Sequence, residues 1–218
     1  MKRAIKAFGN RLEAGGKGAV GLFYYAGHGV QVGGENYMIP VDVEIQDEDD
    51  VDIEAVFANA VLANMAYAGN RLNIIVMDAC RNNPFRRSFR AVSRGLARMD
   101  ASKGTLIAYA TAPGEVAADG SGDNSPYTKA LAKAMLTRGL TVERVFKEVR
   151  NDVVVAIKNN QVPWEASSLT GRISILVETA ARNLYPAPKR PPCLLSIGKW
   201  YIGNRLRIAV SRVIAKPI

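Results

Sequence analysis

The sequence predicts an α/β fold with a mostly parallel sheet and helices on its faces. Three observations lead to it: near-continuous apolar runs of strand length, segments of helical periodicity between them, and glycine or proline at their boundaries. The chain has 218 residues, of which 48% are hydrophobic and 22% are charged. It can therefore bury a core, and its composition is not that of a disordered chain.

The first half of the chain predicts two buried strands. VGLFYYA (20–26) and RLNIIVMDA (71–79) are apolar enough to be central parallel strands covered on both faces. The predicted elements, in order, are a helix at 1–14, a strand at 20–26, a short strand or hairpin arm at 35–40, an acidic loop at 42–54, a helix at 54–68 and a strand at 71–79.

The second half predicts two further strands and two capped helices. Ser125 is a favourable N-cap that is followed by proline at the first helical position, and Thr141 is the N-cap of the next helix. The predicted elements are an Arg-rich loop at 81–103, a strand at 104–111, a helix from 125 to 139, a helix from 141 onward and a strand at 172–177.

The C-terminal part differs in composition from the rest. The Pro-rich run at 185–192 predicts a boundary, so we expect a domain at 1–178 and a basic, Pro-containing tail at 179–218. The net charge is +9, but eight basic and no acidic residues follow Glu178, which leaves 21 basic and 20 acidic residues in the domain. Basic tails are more often solvated than bound to anions. No nucleic-acid partner is therefore expected, although an anion-binding protein that uses its tail stays an open alternative.

Composition also bears on location. Two cysteines do not make a disulfide framework. The basic start of the chain is not followed by an apolar run, so no signal peptide is predicted, and no segment is long and apolar enough for a membrane span. The location is therefore unknown, with the cytoplasm as the default expectation.

The clearest chemistry belongs to the single histidine and one of the two cysteines. His28 directly follows one apolar strand and Cys80 directly follows the other. In an open parallel sheet both would lie at the carboxyl edge, where such folds bind ligands. An imidazole there can take the thiol proton and hold a thiolate, which is the nucleophile. The amides of Gly29 and Cys80 can face a developing oxyanion.

Each of these residues also has an ordinary structural interpretation. A lone histidine near a strand end is more often a polar edge residue than a base, and a lone cysteine after a buried strand is more often a small core residue. Both interpretations weaken because His28 and Cys80 end consecutive core strands, 52 positions apart. The other cysteine, Cys193, has no such context.

The sequence around the pair resembles caspase-like cysteine peptidases. Caspases have a Q-A-C-[RQG]-G stretch with a histidine about 50 residues upstream. DACRN (78–82) has Asp78 in place of the Gln and Asn82 in place of the Gly, and the aspartate is similar to that of metacaspases and paracaspases. The blocks that resemble bacterial caspase-like domains, of the metacaspase or orthocaspase kind, are YYAGHGVQVGGENYMIPVD (24–42), DACRNNPF (78–85), ATAPGEVAADG (110–120), NSPYTKAL (124–131) and QVPWEASSL (161–169).

The resemblance implies a three-layer α/β/α sandwich and a cysteine endopeptidase. His28 would be the general base and Cys80 the nucleophile, with backbone oxyanion donors at Gly29 and Cys80. The first two strands of the family's sheet would precede residue 1, which would leave 20–26 as a bare apolar edge. A catalytically silent binding or dimerisation module, or a truncated remnant, is the rival interpretation.

The resemblance also implies a substrate class. Asp78 would hold the basic side chain that precedes the scissile bond, giving Arg or Lys specificity instead of the Asp specificity of animal caspases. Glu115 or Asp119 would reach the same pocket. The ordinary alternative for Asp78 is a strand-end carboxylate that is hydrogen-bonded to nearby backbone. A peptide or protein is thus the expected partner, and homodimerisation is left open.

Two further expectations concern metal and self-cleavage. Some metacaspases bind calcium, and Glu35 and Asp52 lie in a comparable region, but their spacing does not secure several convergent oxygens. No cofactor or metal ligand is therefore expected, with calcium left open. Self-cleavage within 86–103 would fit a pocket for basic residues, because that loop contains six of them.

Overall fold

The computed structural model describes residues 1–80, 95–171, 173 and 208–214, with the backbone alone at 80 and at 208–214. The strands are β1 (Val20–Val32), β2 (Glu35–Met38), β3 (Val56–Phe57), β4 (Leu72–Cys80), β5 (Thr105–Tyr109), β6 (Trp164–Ser167) and β7 (Ile208–Ile214). The helices are α1 (Lys2–Ala14), α2 (Asp49–Glu54), α3 (Ala58–Tyr67), α4 (Pro126–Met135) and α5 (Val142–Ala156).

The described strands form one mixed sheet whose centre is parallel. The order is β3-β2-β1-β4-β5-β6, and β7 pairs with β1 as well. The pairs β1–β4, β4–β5 and β1–β7 are parallel. The pairs β1–β2, β2–β3 and β5–β6 are antiparallel. The prediction of a mostly parallel α/β sheet is confirmed.

Helices cover both faces of this sheet. Alternate residues of β4 enter different cores: Ile75 and Met77 pack with α1 and α3, while Ile74 and Val76 pack with α4 and α5. The run is apolar at nearly every position because neither face of the strand meets water. The three-layer α/β/α sandwich is therefore present, with the sheet in the middle.

Strand β1 is longer than its apolar run predicts. It continues through His28 to Val32, because residues 29–32 pair with β2 in a hairpin. The hairpin turns at Gly33 and Gly34, whose φ angles of 58° and 86° favour glycine. The prediction that His28 follows the strand is therefore wrong, since it lies inside the strand.

Other boundaries also differ from prediction. Part of the predicted acidic loop is α2, which has acidic residues in its first turn, where they favour a helix. The predicted 54–68 helix begins only at Ala58, because Val56–Phe57 pair with β2. Strand β6 was not predicted. The N-caps Ser125 and Thr141 are confirmed, whereas the predicted 172–177 strand and residues 81–94 of the predicted loop lie outside the described residues, apart from Ile173.

The edge of β1 that was predicted to be bare is paired. Strand β7, which belongs to the predicted tail, pairs in parallel with Val20–Ala26. Both β7 and β2 lie on the side of β1 away from β4, one after the other along the strand. Of the described helices, none is long and apolar enough to cross a membrane.

Candidate active site

The parallel pairing of β1 and β4 brings His28 and Cys80 together. Their Cα atoms are register partners, with Gly27 opposite Ala79. Neighbouring strands lie about 4.8 Å apart, so positions 28 and 80 are direct neighbours across the sheet. The two-residue alternation of the strands places positions 28, 78 and 80 on the face that packs against α4 and α5.

His28 is held through its backbone. Its carbonyl accepts hydrogen bonds from the Tyr25 hydroxyl at 2.6 Å and from the Ile39 amide at 3.0 Å. The same hydroxyl lies 3.0 Å from the Ile39 carbonyl and accepts from the Ile39 amide at 3.1 Å. Burial raises the pKa of Tyr25, so it stays a neutral donor. These bonds fix the backbone at the point where β1 changes its partner from β4 to β2.

The imidazole of His28 is half-buried. Its Nδ1 atom is buried and has no hydrogen-bond partner among the described residues. An unpartnered ring nitrogen at the carboxyl edge of a sheet can accept or donate a proton there.

Gly29 lies where a side chain would crowd its neighbours. A Cβ atom at this position would lie 3.1 Å from Ala79 Cβ and 3.1 Å from Leu96 Cδ2. Those atoms belong to the core on the side of α1 and α3. Glycine at position 29 therefore lets β1 and the segment after residue 95 pack closely beside the histidine.

Asp78 is 3% exposed and accepts two hydroxyl hydrogen bonds on one oxygen. Its Oδ2 accepts from Ser125 Oγ at 2.5 Å and from Thr128 Oγ1. Its Oδ1 is buried and has no partner among the described residues. The carboxylate thus joins the end of β4 to the first turn of α4, and its partners among the described residues are hydroxyl groups and not the backbone groups of the ordinary alternative.

A small polar network surrounds Asp78. Ser125 Oγ also accepts the Thr128 amide at 2.9 Å, as the N-cap of α4. Thr128 Oγ1 lies 2.5 Å from the Tyr24 hydroxyl. Desolvation raises the pKa of Asp78, the two hydroxyl bonds lower it, and the charge of Asp119 raises it further. Burial is the largest of these effects, so the pKa lies above the usual range.

The two other predicted pocket acids lie in the segment after β5. Glu115 and Asp119 are both exposed there. Gln161, itself 2% exposed, fixes this segment: its Nε2 donates to the Ala110 carbonyl at 2.7 Å and its Oε1 accepts the Ala118 amide at 2.9 Å. The negative charge of Asp119 acts on Asp78 and raises its pKa.

Sequence reasoning missed the residues that hold the site in place. Ser125 was recognised as an N-cap, but its bond to Asp78 spans 47 positions and no local pattern encodes it. Tyr25, Thr128 and Gln161 were not singled out. A signal for Thr128 was present in its spacing. It lies three residues after Ser125, and residues three apart in a helix lie on the same face, so both can contact the end of β4.

The predicted calcium region makes other contacts. Asp52 Oδ1 accepts from the Tyr37 hydroxyl at 2.7 Å, and Glu35 Oε2 accepts from Asn59 Nδ2 at 3.1 Å. Within the described residues, no group of three or more His, Cys, Asp or Glu side chains could hold a metal ion. The expectation of no cofactor, with calcium left open, stays untested.

Comparison with known protein families identifies the domain. The family model of the caspase domain matches residues 1–174, which include strands β1 and β4 and therefore both His28 and Cys80. No individual curated protein matches the chain. The matched range covers well over half of the sequence, and the family comprises cysteine peptidases. The chain therefore belongs to the caspase domain family.

Proposed function

We propose that this chain is a cysteine endopeptidase that uses His28 as base and Cys80 as nucleophile and cleaves after Arg or Lys. The observation that carries the proposal is the β1–β4 register, in which positions 28 and 80 lie directly opposite each other. The two residue types needed for thiolate catalysis are thus the last register pair of the parallel β1–β4 ladder. The chain that carries them belongs to the caspase domain family.

The reaction follows from this pair. The imidazole takes the proton of the Cys80 thiol, and the thiolate attacks the carbonyl carbon of the scissile bond. Backbone N–H groups at Gly29 and Cys80 stabilise the oxyanion. The imidazolium then gives its proton to the departing amine, which leaves a thioester. Water attacks that thioester, His28 takes a proton from the water, and the acid product and the free thiol are released.

The preference for a basic residue rests on Asp78. Its carboxylate is removed from water, one of its oxygens has no partner among the described residues, and Asp119 adds a second negative charge. A guanidinium or ammonium group would relieve both the desolvation and the repulsion. Glu115 is exposed on the same segment as Asp119, and its role in the pocket stays a prediction.

One observation favours the rival function of a catalytically silent module. Because Asp78 is only 3% exposed, a substrate side chain can contact Oδ1 only after neighbouring groups have moved. If the pocket does not open, the domain binds partners without turning them over.

Peptide hydrolysis by the full chain decides between the two functions. Matched fluorogenic peptides ending in Arg, Lys, norleucine or Asp are compared on the wild-type chain and on the Cys80→Ala, His28→Ala and Cys193→Ala variants. We expect turnover of the Arg and Lys peptides to exceed that of the norleucine and Asp peptides by far, to be lost in the first two variants and to be kept in Cys193→Ala. Equal turnover in wild type and Cys80→Ala would exclude the dyad, and binding of a partner without any turnover supports the silent module.

A further inference from the structure

The two oxygens of Asp78 are in different states. A carboxylate oxygen has about two lone-pair sites. Both sites of Oδ2 are used, because it accepts from Ser125 Oγ and from Thr128 Oγ1. Oδ1 accepts from none of the described residues. The acceptor capacity left on this side chain is therefore on one atom.

One arrangement of the hydroxyl protons satisfies every hydrogen bond around Asp78. Thr128 Oγ1 and the Tyr24 hydroxyl are 2.5 Å apart, and either can donate to the other. If Thr128 donates to Asp78, Tyr24 must donate to Thr128, and every hydroxyl proton then has an acceptor. Ser125 Oγ accepts the Thr128 amide and keeps its own proton for Asp78. All hydroxyl groups of this network are thereby hydrogen-bonded, so both donors stay bound to Oδ2.

Building on the proposed function, we propose that Ser125 and Thr128 set the specificity of this pocket by saturating Oδ2. A basic side chain of the substrate is then recognised through Oδ1 alone. Both residues act as positioning residues, since neither needs to touch the substrate.

Single-oxygen recognition changes the balance between arginine and lysine. Guanidinium gains its advantage over ammonium by forming two parallel bonds to the two oxygens of one carboxylate. With Oδ2 saturated, that two-oxygen arrangement is closed. The pocket thus treats arginine and lysine as similar point charges, and Asp119 adds attraction for either one without favouring a shape.

Thr128→Val tests this directly. Valine keeps the shape of threonine but removes one donor from Oδ2 and frees a lone pair for a guanidinium. The wild-type ratio of kcat/KM for matched Arg and Lys peptides should lie within about threefold of one, and in Thr128→Val it should rise about tenfold in favour of Arg, the factor expected for one added charge-assisted bond. Thr128→Ser retains the hydroxyl and should keep the wild-type ratio.

A purely structural role of Thr128 predicts a different result. Loosening of α4 would lower kcat/KM for both peptides by the same factor and leave their ratio unchanged. An unchanged ratio in Thr128→Val, or an equal shift in Thr128→Ser, overturns the proposal.

The preference for arginine over lysine can also be measured by binding alone. Dissociation constants of N-acetyl-arginine amide and N-acetyl-lysine amide are measured on the full Cys80→Ala chain, with and without Thr128→Val. A shift toward the arginine ligand supports the inference even if the wild-type chain hydrolyses nothing, in which case the peptidase proposal alone fails. Hydrolysis with an unshifted ratio overturns the inference alone. Ligand binding that Asp78→Asn leaves unaffected overturns the inference together with the role of Asp78 in the proposed specificity.

Discussion

At the scale of single residues, Asp78 has two functions that compete. Its Oδ2 joins β4 to the N-terminus of α4, and its Oδ1 is the acceptor proposed for the substrate. Burial makes the ionised form unfavourable in the unliganded protein, and the charge of Asp119 adds to that. A bound cation reverses both effects, so binding and ionisation of Asp78 are linked.

This linkage predicts a pH dependence for basic substrates. Because the pKa of Asp78 is raised, the carboxylate becomes protonated, as pH falls, earlier than an ordinary aspartate of pKa about 3.9. The KM for an Arg peptide should therefore rise as pH falls through that raised pKa. Asp119→Asn removes a negative neighbour, lowers the pKa of Asp78 and should move the inflection to lower pH.

The control for this titration is a norleucine peptide assayed at high concentration. Its kcat/KM should lack the inflection, because a neutral side chain gains nothing from an ionised Asp78. An inflection that stays in place or moves to higher pH in Asp119→Asn would contradict the assignment of Asp78 as the cation acceptor.

At the scale of elements, β1 matters because it changes partner at the histidine. Residues up to His28 pair with β4, and residues from Gly29 pair with β2. The hydroxyl of Tyr25 lies at this change and contacts the backbone of both His28 and Ile39. The backbone of β1 must be held in place at this change of partner if the imidazole is to stay opposite position 80.

Tyr25→Phe should therefore affect catalysis more than another buried tyrosine does. Loss of the hydroxyl leaves backbone groups of His28 and Ile39 without one partner, which costs about 1–3 kcal/mol of stability. We expect kcat to fall about tenfold with KM little changed, since the base and not the pocket is displaced. Kinetics on the folded fraction, with a urea unfolding curve beside it, measures both.

Tyr109→Phe is the matched control. Tyr109 is 2% exposed, and its hydroxyl accepts the Met99 amide at 2.9 Å, on the same face but away from His28. It should lose comparable stability and retain kcat. Equal loss of kcat in the two variants would show that Tyr25 acts only through general stability.

The segment before β5 restricts where self-cleavage can occur. Leu96 and Met99 are buried, and Asn36 makes hydrogen bonds of 2.8 and 2.6 Å to the carbonyl and the amide of Ala97. A peptidase needs its substrate in an extended, accessible form. Cleavage after Arg98 or Lys103 would first require this segment to unfold.

Self-cleavage, if it follows the proposed specificity, should therefore fall earlier in the loop. Mass spectrometry of the incubated wild-type chain should find new termini only after four arginines, namely Arg86, Arg87, Arg90 and Arg94. The Cys80→Ala chain should stay intact. Cuts after Arg98 or Lys103, or the same fragments from Cys80→Ala, would contradict this prediction.

At the scale of the whole molecule, the sheet joins two strands that lie far apart in the sequence. β1 pairs with β7 along Val20–Ala26, so its N-terminal half has neighbours on both sides. An open apolar strand edge at this place would be a site for association with other chains. Strand β7 therefore completes the sheet next to the proposed catalytic strand.

Truncation tests that role of β7. A chain that ends at residue 207 lacks the strand and should associate into dimers or larger species, whereas a chain that ends at residue 214 keeps it and should behave as the full chain does. Light scattering after size-exclusion chromatography gives the masses. The same mass and the same thermal stability for the two truncated chains would show that β7 does not protect the edge.

The parts of the fold set by local pattern could be predicted from sequence. The buried strands, the Ser125 and Thr141 caps and the nearness of His28 to Cys80 follow from apolar runs, cap chemistry and parallel pairing. The contacts of Asp78 with α4, and the pairing of β7 with β1, join segments far apart in sequence. Nothing in the local pattern encodes such pairs, and β6 was missed because WEAS is too short for a periodic signal.

Covalent labelling tests whether His28 and Cys80 form a catalytic pair in a pocket for basic residues. The full chain is treated with an Arg-based and an Asp-based acyloxymethyl ketone peptide, and the modified residue is located by mass mapping. We expect rapid modification of Cys80 by the Arg reagent, little by the Asp reagent, none at Cys193, and loss of the reaction in His28→Ala. Equal modification of Cys80 and Cys193, or modification of Cys80 that is unchanged in His28→Ala, would contradict it.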